Sequence, residues 1–121
     1  MNVEELDVFK ISHNLTLEIY KITEKFPEIE RFGLISQMRK SSSSICSNLI
    51  EGAYREGRKE LIYFTNISMG SCGELKYQLF LAKDLNYISE EEYNNLVEKV
   101  KRIILMLSAL KKSLKSSNKI K

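Results

Sequence analysis

Apolar residues recur at alternating steps of three and four along four long segments of this 121-residue chain. This spacing places the apolar side chains on one face of an α-helix. The most regular series lies in the last segment and consists of Tyr93, Leu96, Val100, Ile103, Leu107, Leu110 and Leu114. The chain has only one proline and five glycines, so few residues interrupt these segments. We therefore predict an all-α fold with helices over about Leu6–Phe26, Leu34–Tyr54, Arg58–Leu85 and Glu90–Lys115.

Local signals define the ends of two of these helices. Pro27 ends the first, because a residue that precedes proline is disfavoured in the helical conformation. Ser89 is the predicted N-cap of the fourth, and Glu92 completes a capping box three residues later. The connections are so short that successive helices should run antiparallel. The sequence predicts an up-down-up-down antiparallel four-helix bundle as one domain over residues 1–115, followed by a flexible basic tail over residues 116–121.

The third predicted helix is apolar on two faces. One apolar face is expected to pack in the core, and the other carries Tyr63, Ile67, Tyr77 and Leu81. Only a narrow strip, which includes Thr65, is polar. A helix that is apolar nearly all round is buried on more than one side. We therefore predict a homo-oligomer, with those four residues at the interface. The alternative is that the other helices of the same chain wrap this helix more deeply.

No arrangement of residues typical of an active site is found. His13 is the only histidine, and Cys46 and Cys72 do not have the spacing of a zinc site. Glu51 and Glu74 are the two carboxylates that could act together in an enzyme. The simpler interpretation is that each forms an ion pair with a base such as Arg39 or Arg55. We therefore predict no enzymatic activity, no cofactor and no metal. We expect Asn48, a polar residue on a core stripe, to fix the helix register through a buried hydrogen bond.

Basic charge suggests a partner. The net charge is +3 and the sequence pI is about 8.8, while residues 99–121 carry eight bases and no acid. Repetition of a basic patch in an oligomer would favour binding to phosphate backbones. The candidate nucleic-acid-binding residues are Arg39, Lys40, Arg55, Arg58 and Lys59, ahead of the C-terminal lysines. The lead hypothesis is binding of RNA or DNA, and the alternative is a scaffold that binds a protein partner.

Hydropathy indicates no membrane segment. The longest apolar run, Ile103–Leu107, is far shorter than the ~20 residues that cross a bilayer. The first residues are acidic, whereas a secretory signal begins with basic residues. We therefore expect a cytoplasmic protein without membrane contact.

Three segments resemble the four-helix-bundle proteins encoded within 23S ribosomal RNA intervening sequences, also called S23 proteins. The segments contain Phe26-Pro27, Glu30, Gly33-Leu34 and Gln37-Met38-Arg39-Lys40, then Ser44-Ile45, Asn48-Leu49 and Glu51-Gly52, then Gly70-Ser71 and Glu74-Leu75. The chain departs from the family pattern at Phe9, where tryptophan is common, and at Ser41 and Ser42, where alanines are common. These differences are mild changes of packing.

The resemblance implies a homopentamer with five bundles around a central channel. It also implies a relationship to the accessory protein of diversity-generating retroelements, which partners a reverse transcriptase and binds nucleic acid. It implies no settled activity, because the link to ribosomal RNA is one of genetic context. Taken with the charge distribution, it favours a non-catalytic bacterial module that binds nucleic acid through repeated basic surface.

Overall fold

Four α-helices joined by short turns account for most of the chain. The structure is a computed structural model that describes the backbone of residues 2–120 and the side chains of residues 2–116. The helices are α1 (Asp7–Thr23), α2 (Leu34–Tyr54), α3 (Arg58–Asp84) and α4 (Glu90–Ile120), with 3₁₀ turns at Val3–Glu5 and Glu28–Glu30. No strand occurs among the described residues. The predicted all-α, four-helix fold is therefore confirmed.

Each helix packs against the next, and α1 also packs against α4, so that the four enclose one core. Contacts between α1 and α2 show that they are antiparallel. Thr16 Oγ1 donates to the carbonyl oxygen of Ser42 at 3.1 Å, and Cys46 Sγ contacts the carbonyl oxygen of Phe9 at 3.5 Å. Later residues of α1 thus contact earlier residues of α2, which is the antiparallel arrangement that a short connection requires.

The core is built from the apolar stripes of all four helices. Its largest fully buried aliphatic side chains are Leu15, Ile19, Met38, Ile45, Leu49, Leu75, Leu79, Val100, Ile103 and Leu107. Full burial of each such side chain contributes roughly 1.5–3 kcal/mol. The predicted stripes therefore supply the main stabilising term of the fold.

The serine-rich face of α2 brings α2 and α3 close together. Ser68 Oγ on α3 donates to the carbonyl oxygen of Ile45 at 2.8 Å, a direct bond from a side chain to the neighbouring helix. A Cβ built on Gly52 would lie only 2.8 Å from Cβ of Phe64. Larger side chains at these positions would separate the two helices, so the small residues have a packing reason here.

Two helix ends differ in how well the sequence defines them. At the start of α4, Ser89 Oγ accepts from the amide of Glu92 at 3.0 Å, and the Ser89 amide donates to Glu92 Oε1 at 2.8 Å, which confirms the capping box. By contrast, α1 ends at Thr23 rather than Phe26, because the next amides bond three residues back in 3₁₀ fashion. The last turn before Pro27 is therefore a 3₁₀ turn and not part of the α-helix.

Two further expectations concern α3 and the C-terminus. Thr65 was predicted to lie on the polar strip, but it is completely buried, and its hydroxyl donates to the carbonyl oxygen of Leu61 at 2.7 Å. Helix α4 continues to Ile120, beyond the predicted end near Lys115. The division at residue 115 and the flexibility expected of residues 116–121 stay predictions. None of the described helices is long and apolar enough to cross a membrane.

Candidate nucleic-acid interface

The five bases predicted to bind nucleic acid fall into two groups. Arg39 and Lys40 lie near the start of α2, whereas Arg55, Arg58 and Lys59 surround the turn between α2 and α3. Sixteen residues of sequence separate Arg39 from Arg55, which corresponds to about 24 Å along a helix. The fold therefore does not bring all five side chains to one surface of a single chain.

Arg39 is partly buried and is held against α1 by three contacts. Its Nε donates to Thr23 Oγ1 at 3.0 Å, its Nη2 donates to the carbonyl oxygen of Tyr20 at 3.1 Å, and its guanidinium lies 4.6 Å from the centre of the Tyr20 ring. These bonds satisfy carbonyl and hydroxyl groups at the end of α1, where helical partners run out. Arg39 thus joins the end of α1 to the start of α2, and two of its five N–H donors are used in doing so.

Arg55 is balanced by two acids. Its Nε lies 2.9 Å from Glu51 Oε2 and its Nη1 lies 3.6 Å from Glu60 Oε1, while its guanidinium lies 5.1 Å from the Phe64 ring centre. The hydrogen bond to Glu51 raises the pKa of the Arg55 guanidinium above its ordinary value. The expected pairing of Glu51 with Arg55 is confirmed. Because both partners are about half exposed, the pair adds little stability.

Arg58 and Lys59 lie in the first turn of α3, which is close to the lysine-bearing end of α4. The first turns of α3 pack against the last described turns of α4, since Arg58 and Leu114 line the same opening and Lys111 Nζ donates to Asn66 Oδ1 at 3.1 Å. We call this region the basic end and define it as Arg58, Lys59, Lys111, Lys112 and Lys115. Lys59, Lys112 and Lys115 are exposed. Helix α4 has no acid after Glu98, and the acids beside Arg58 and Lys59 in sequence are Glu56 and Glu60, of which Glu60 pairs with Arg55.

Glu51 and Glu74, the two carboxylates considered for catalysis, do not lie close together. The Ser44 and Ser71 hydroxyls, 2.6 Å apart, place Glu74 one turn further along, beside Lys40 and Ser41. Glu51 therefore lies about ten residues away along α2, or roughly 15 Å. Glu74 is exposed and forms no ion pair with any described residue, in contrast to the expected pairing with a base. Nor does the described part of the chain group three His, Cys, Asp or Glu side chains as a metal site would need.

The remaining motif residues lie along the contact between α2 and α3. Gly52 is buried where the helices approach most closely, and Ser71 pairs with Ser44. Asn48 Nδ2 donates to the carbonyl oxygen of Ser44 at 2.8 Å, within its own helix. That bond is local because Asn48 lies one turn beyond Ser44. It therefore does not fix the register between helices in the way the sequence suggested.

The residues predicted to form an oligomer interface remain accessible in the single chain. Tyr63 is 57% exposed and Tyr77 is 61% exposed. Ile67 and Leu81 are partly buried. Tyr63 and Tyr77 are thus not wrapped by the other helices, whereas Leu81 packs against the core of its own chain. The role of Tyr63, Ile67, Tyr77 and Leu81 at an interface stays a prediction.

Sequence reasoning missed two polar residues that the structure brings into prominence. Tyr87 Oη donates to Glu30 Oε2 at 2.9 Å, while Glu30 Oε1 accepts from the Leu34 amide at the start of α2. Gln78 is buried on α3, although no polar role was predicted for that position. A signal for Gln78 was present, because it follows Ile67, Ser71 and Glu74 at steps of four, three and four.

Neither thiol is poised for reaction. Burial raises the pKa of Cys46 to about 11 and that of Cys72 to about 12. At pH 8 the thiolate of Cys46 is then on the order of one part in a thousand, and that of Cys72 is scarcer. We expect Ellman's reagent to modify the native protein far more slowly than the protein unfolded in guanidinium, with Cys46 reacting first. Equal rates in the native and unfolded protein would contradict this assignment.

These features define an all-helical bundle with a basic end, and the described side chains form no grouping typical of catalysis. The family model of the 23S rRNA-intervening sequence protein matches residues 4–109. The chain belongs to this family. A similar crystal structure is that of a protein with unknown function from the S23 ribosomal protein family of Bacteroides thetaiotaomicron. It is 26% identical, with a TM-score of 0.77 over 87% of this chain and 98% of that chain. No match was found among curated protein sequences.

Proposed function

We propose that this protein is a non-catalytic, homo-oligomeric module that binds RNA or DNA through the basic end of each bundle. The observation that carries the proposal is the packing of the first turns of α3, which carry Arg58 and Lys59, against the part of α4 that carries Lys111, Lys112 and Lys115. These helices belong to one bundle, so the backbone positions of the cations are fixed before binding and only their side chains have to be ordered. Affinity for a phosphate backbone rises steeply with the number of cations that meet it.

The surface differs from the one that the sequence favoured. Arg39 and Arg55 have partners inside the protein, and Lys40 lies beside Glu74 in another part of the molecule. The proposal therefore rests on Arg58 and Lys59 from the predicted set, joined by the three α4 lysines. Assembly into a ring, five subunits by the family resemblance, would present this end several times to one nucleic acid.

A matched pair of triple variants tests the location of the surface. Lys59→Gln, Lys112→Gln and Lys115→Gln remove three charges from the basic end. Lys21→Gln, Lys25→Gln and Lys76→Gln remove three exposed charges elsewhere. By fluorescence anisotropy with structured RNA and with duplex DNA at fixed salt, we expect the first variant to bind about tenfold more weakly or worse, and the second about as wild type does. Equal losses in both variants would mean that only total charge matters, and absence of wild-type binding would overturn the function.

An exposed apolar patch favours a protein-binding scaffold as the second candidate. Ile29 is 88% exposed and Phe32 is 89% exposed, and Phe32 and Tyr20 line an opening of about 510 Å³ at the turn between α1 and α2. Such patches mark interaction sites in many proteins. If wild type binds neither RNA nor DNA, affinity capture with wild type and with Phe32→Ser would test this reading. A partner retained equally by both would contradict a role for the patch.

A further inference from the structure

The opening at the turn between α1 and α2 combines aromatic rings with positive charge. We call it the turn cleft; its volume of about 510 Å³ lies within the range of roughly 300–1,000 Å³ that is usual for ligand clefts. Tyr20 and Phe32 line it together with the cations Arg31, Arg39 and Lys40, and none of the described residues that line it is acidic. Helix α2 has 21 residues, so roughly 30 Å separates the turn cleft from the basic end.

Phe32 presents an aromatic ring to solvent almost completely. It is 89% exposed, although it lies only two residues before the buried Leu34 at the start of α2. The Arg31 guanidinium lies 5.6 Å from the centre of the ring, so a positive charge stands beside the apolar surface. Covering the ring with a flat apolar group removes that surface from water, which is favourable. A flat group joined to an anion would therefore match Phe32 and Arg31 together.

Tyr20 and Arg39 form a second stacked surface in the turn cleft. The guanidinium lies over the Tyr20 ring at 4.6 Å from its centre, and Tyr20 is 44% exposed. Two N–H groups of Arg39 bond to α1, which holds the guanidinium in place and leaves three donors for an acceptor from outside. Unpaired bases stack on aromatic side chains and on guanidinium planes. The turn cleft thus provides both kinds of surface on which bases stack.

The charges of the turn cleft are not cancelled by strong partners. Arg31 pairs with Glu28 at 3.3 Å, but both side chains are more than half exposed, and exposed pairs are weak. Lys40 is exposed and forms no ion pair with any described residue. Glu30, in the same turn as Glu28, accepts hydrogen bonds from the first turn of α2 and from Tyr87. The cleft therefore presents positive charge to solvent.

The rings and cations are spaced along one line. Ser36, Lys40 and Ser43 follow one another at steps of four and three, so they form one stripe on α2, and Phe32 lies at its start. Lys40 is nearly two turns into the helix, or roughly 10 Å from its start. Every nucleotide of a single strand carries a base and a phosphate, so a short segment can place a base on Phe32 and a following phosphate at Lys40.

We propose that the turn cleft binds unpaired nucleotides of RNA or DNA, with a base stacked on Phe32 and phosphates bound by Arg31, Arg39 and Lys40. The inference rests on the proposed function, to which it adds the class of nucleic acid and a second contact surface. Proteins that bind single strands combine aromatic platforms with a positively charged groove. This combination favours a nucleotide over an acidic protein segment, which would match the cations but not the stacked rings. Bases inside a duplex have no free face, so the cleft selects unpaired ones.

Fluorescence anisotropy with single strands of about ten uridines or ten deoxythymidines tests the stacking on the full chain. Phe32→Leu keeps an apolar side chain but removes the ring, and we expect it to bind both strands about tenfold more weakly. Tyr54→Leu is the matched control, because Tyr54 is 82% exposed but lies beside Glu4, and it should bind as wild type does. Duplex DNA should bind wild type and both variants alike. Equal affinity of Phe32→Leu and wild type for both single strands would overturn the inference.

Phe32→Trp gives a direct readout of stacking, because the chain has no tryptophan and the new emission reports on this position alone. We expect both single strands to quench that emission as a base stacks on the indole ring. Emission that neither strand changes at saturation would overturn the inference. If a glutamate-rich peptide containing phenylalanine quenches the emission and neither strand does, the cleft binds a protein segment, and the inference is wrong.

The basic-end variant with Lys59→Gln, Lys112→Gln and Lys115→Gln separates this inference from the proposed function. If that variant loses affinity for duplex DNA while Phe32→Leu binds single strands as wild type does, the basic end is supported and the turn cleft is overturned. If single strands quench Phe32→Trp while the basic-end variant binds as wild type does, the turn cleft is supported and the basic end is overturned. A wild type that binds no nucleic acid would overturn both.

Discussion

Leu79→Ala should lower the free energy of unfolding by about 3 kcal/mol, within the range of roughly 2–5 kcal/mol for such substitutions. Leu79 is completely buried among the apolar stripes of the four helices, so the missing atoms leave a cavity that the surrounding helices only partly fill. For a domain of this size a loss of 3 kcal/mol corresponds to a melting temperature lower by roughly 12 °C. Urea and thermal unfolding at one fixed protein concentration would measure the effect.

The matched control is the same substitution at an exposed position. Leu105 lies on α4 and is 70% exposed, so Leu105→Ala removes the same atoms without creating a cavity. We expect its effect to stay within about 0.5 kcal/mol of zero. A similar loss at both positions would contradict the four-helix core, because it would mean that Leu79 is no more buried than Leu105.

Gly52→Ala should destabilise the protein by about 2 kcal/mol, although alanine favours helices more than glycine does. The added Cβ would lie 2.8 Å from Cβ of Phe64 and 3.2 Å from Cα of Leu61. Neither atom is at the flexible end of a side chain, so α2 and α3 would have to move apart. Chemical denaturation would measure this change.

The control for Gly52 is another helical glycine. A Cβ built on Gly73 meets nothing within 4 Å, so Gly73→Ala should increase the free energy of unfolding by about 1 kcal/mol. The same substitution is thus expected to lower the free energy of unfolding at Gly52 and to raise it at Gly73. If Gly52→Ala were as stabilising as Gly73→Ala, the result would contradict the close packing of α2 against α3 at Gly52.

The sequence predicted the helices well where local signals determine them. Helix α2 has the predicted bounds, and α4 begins at the predicted capping box. Thr65 was misplaced because its hydroxyl bonds to the carbonyl four residues back in its own helix, which makes burial inexpensive in a way that hydropathy does not register. The early end of α1 involves a contact from another helix, since the Tyr20 carbonyl oxygen accepts from Arg39 Nη2 while the Glu24 amide bonds to Lys21 instead.

The candidate site was harder to predict because its decisive contacts join distant residues. Arg39 and Arg55 looked alike in sequence, yet one is held by Thr23 and Tyr20 and the other by two acids. Helical periodicity identifies which residues share a face, but not which helix lies against that face. For the same reason the sequence did not show that the lysine-bearing end of α4 packs against the first turns of α3.

The most direct test of the account is the salt dependence of wild-type binding to structured RNA. The basic end of one chain supplies five cations, so a single copy would give a slope of log affinity against log salt no steeper than about −4. Repeated basic ends acting on one RNA predict a steeper slope between about 50 and 200 mM salt. Absence of binding at the lowest salt, or a slope shallower than that limit, would contradict nucleic-acid binding through repeated basic surface.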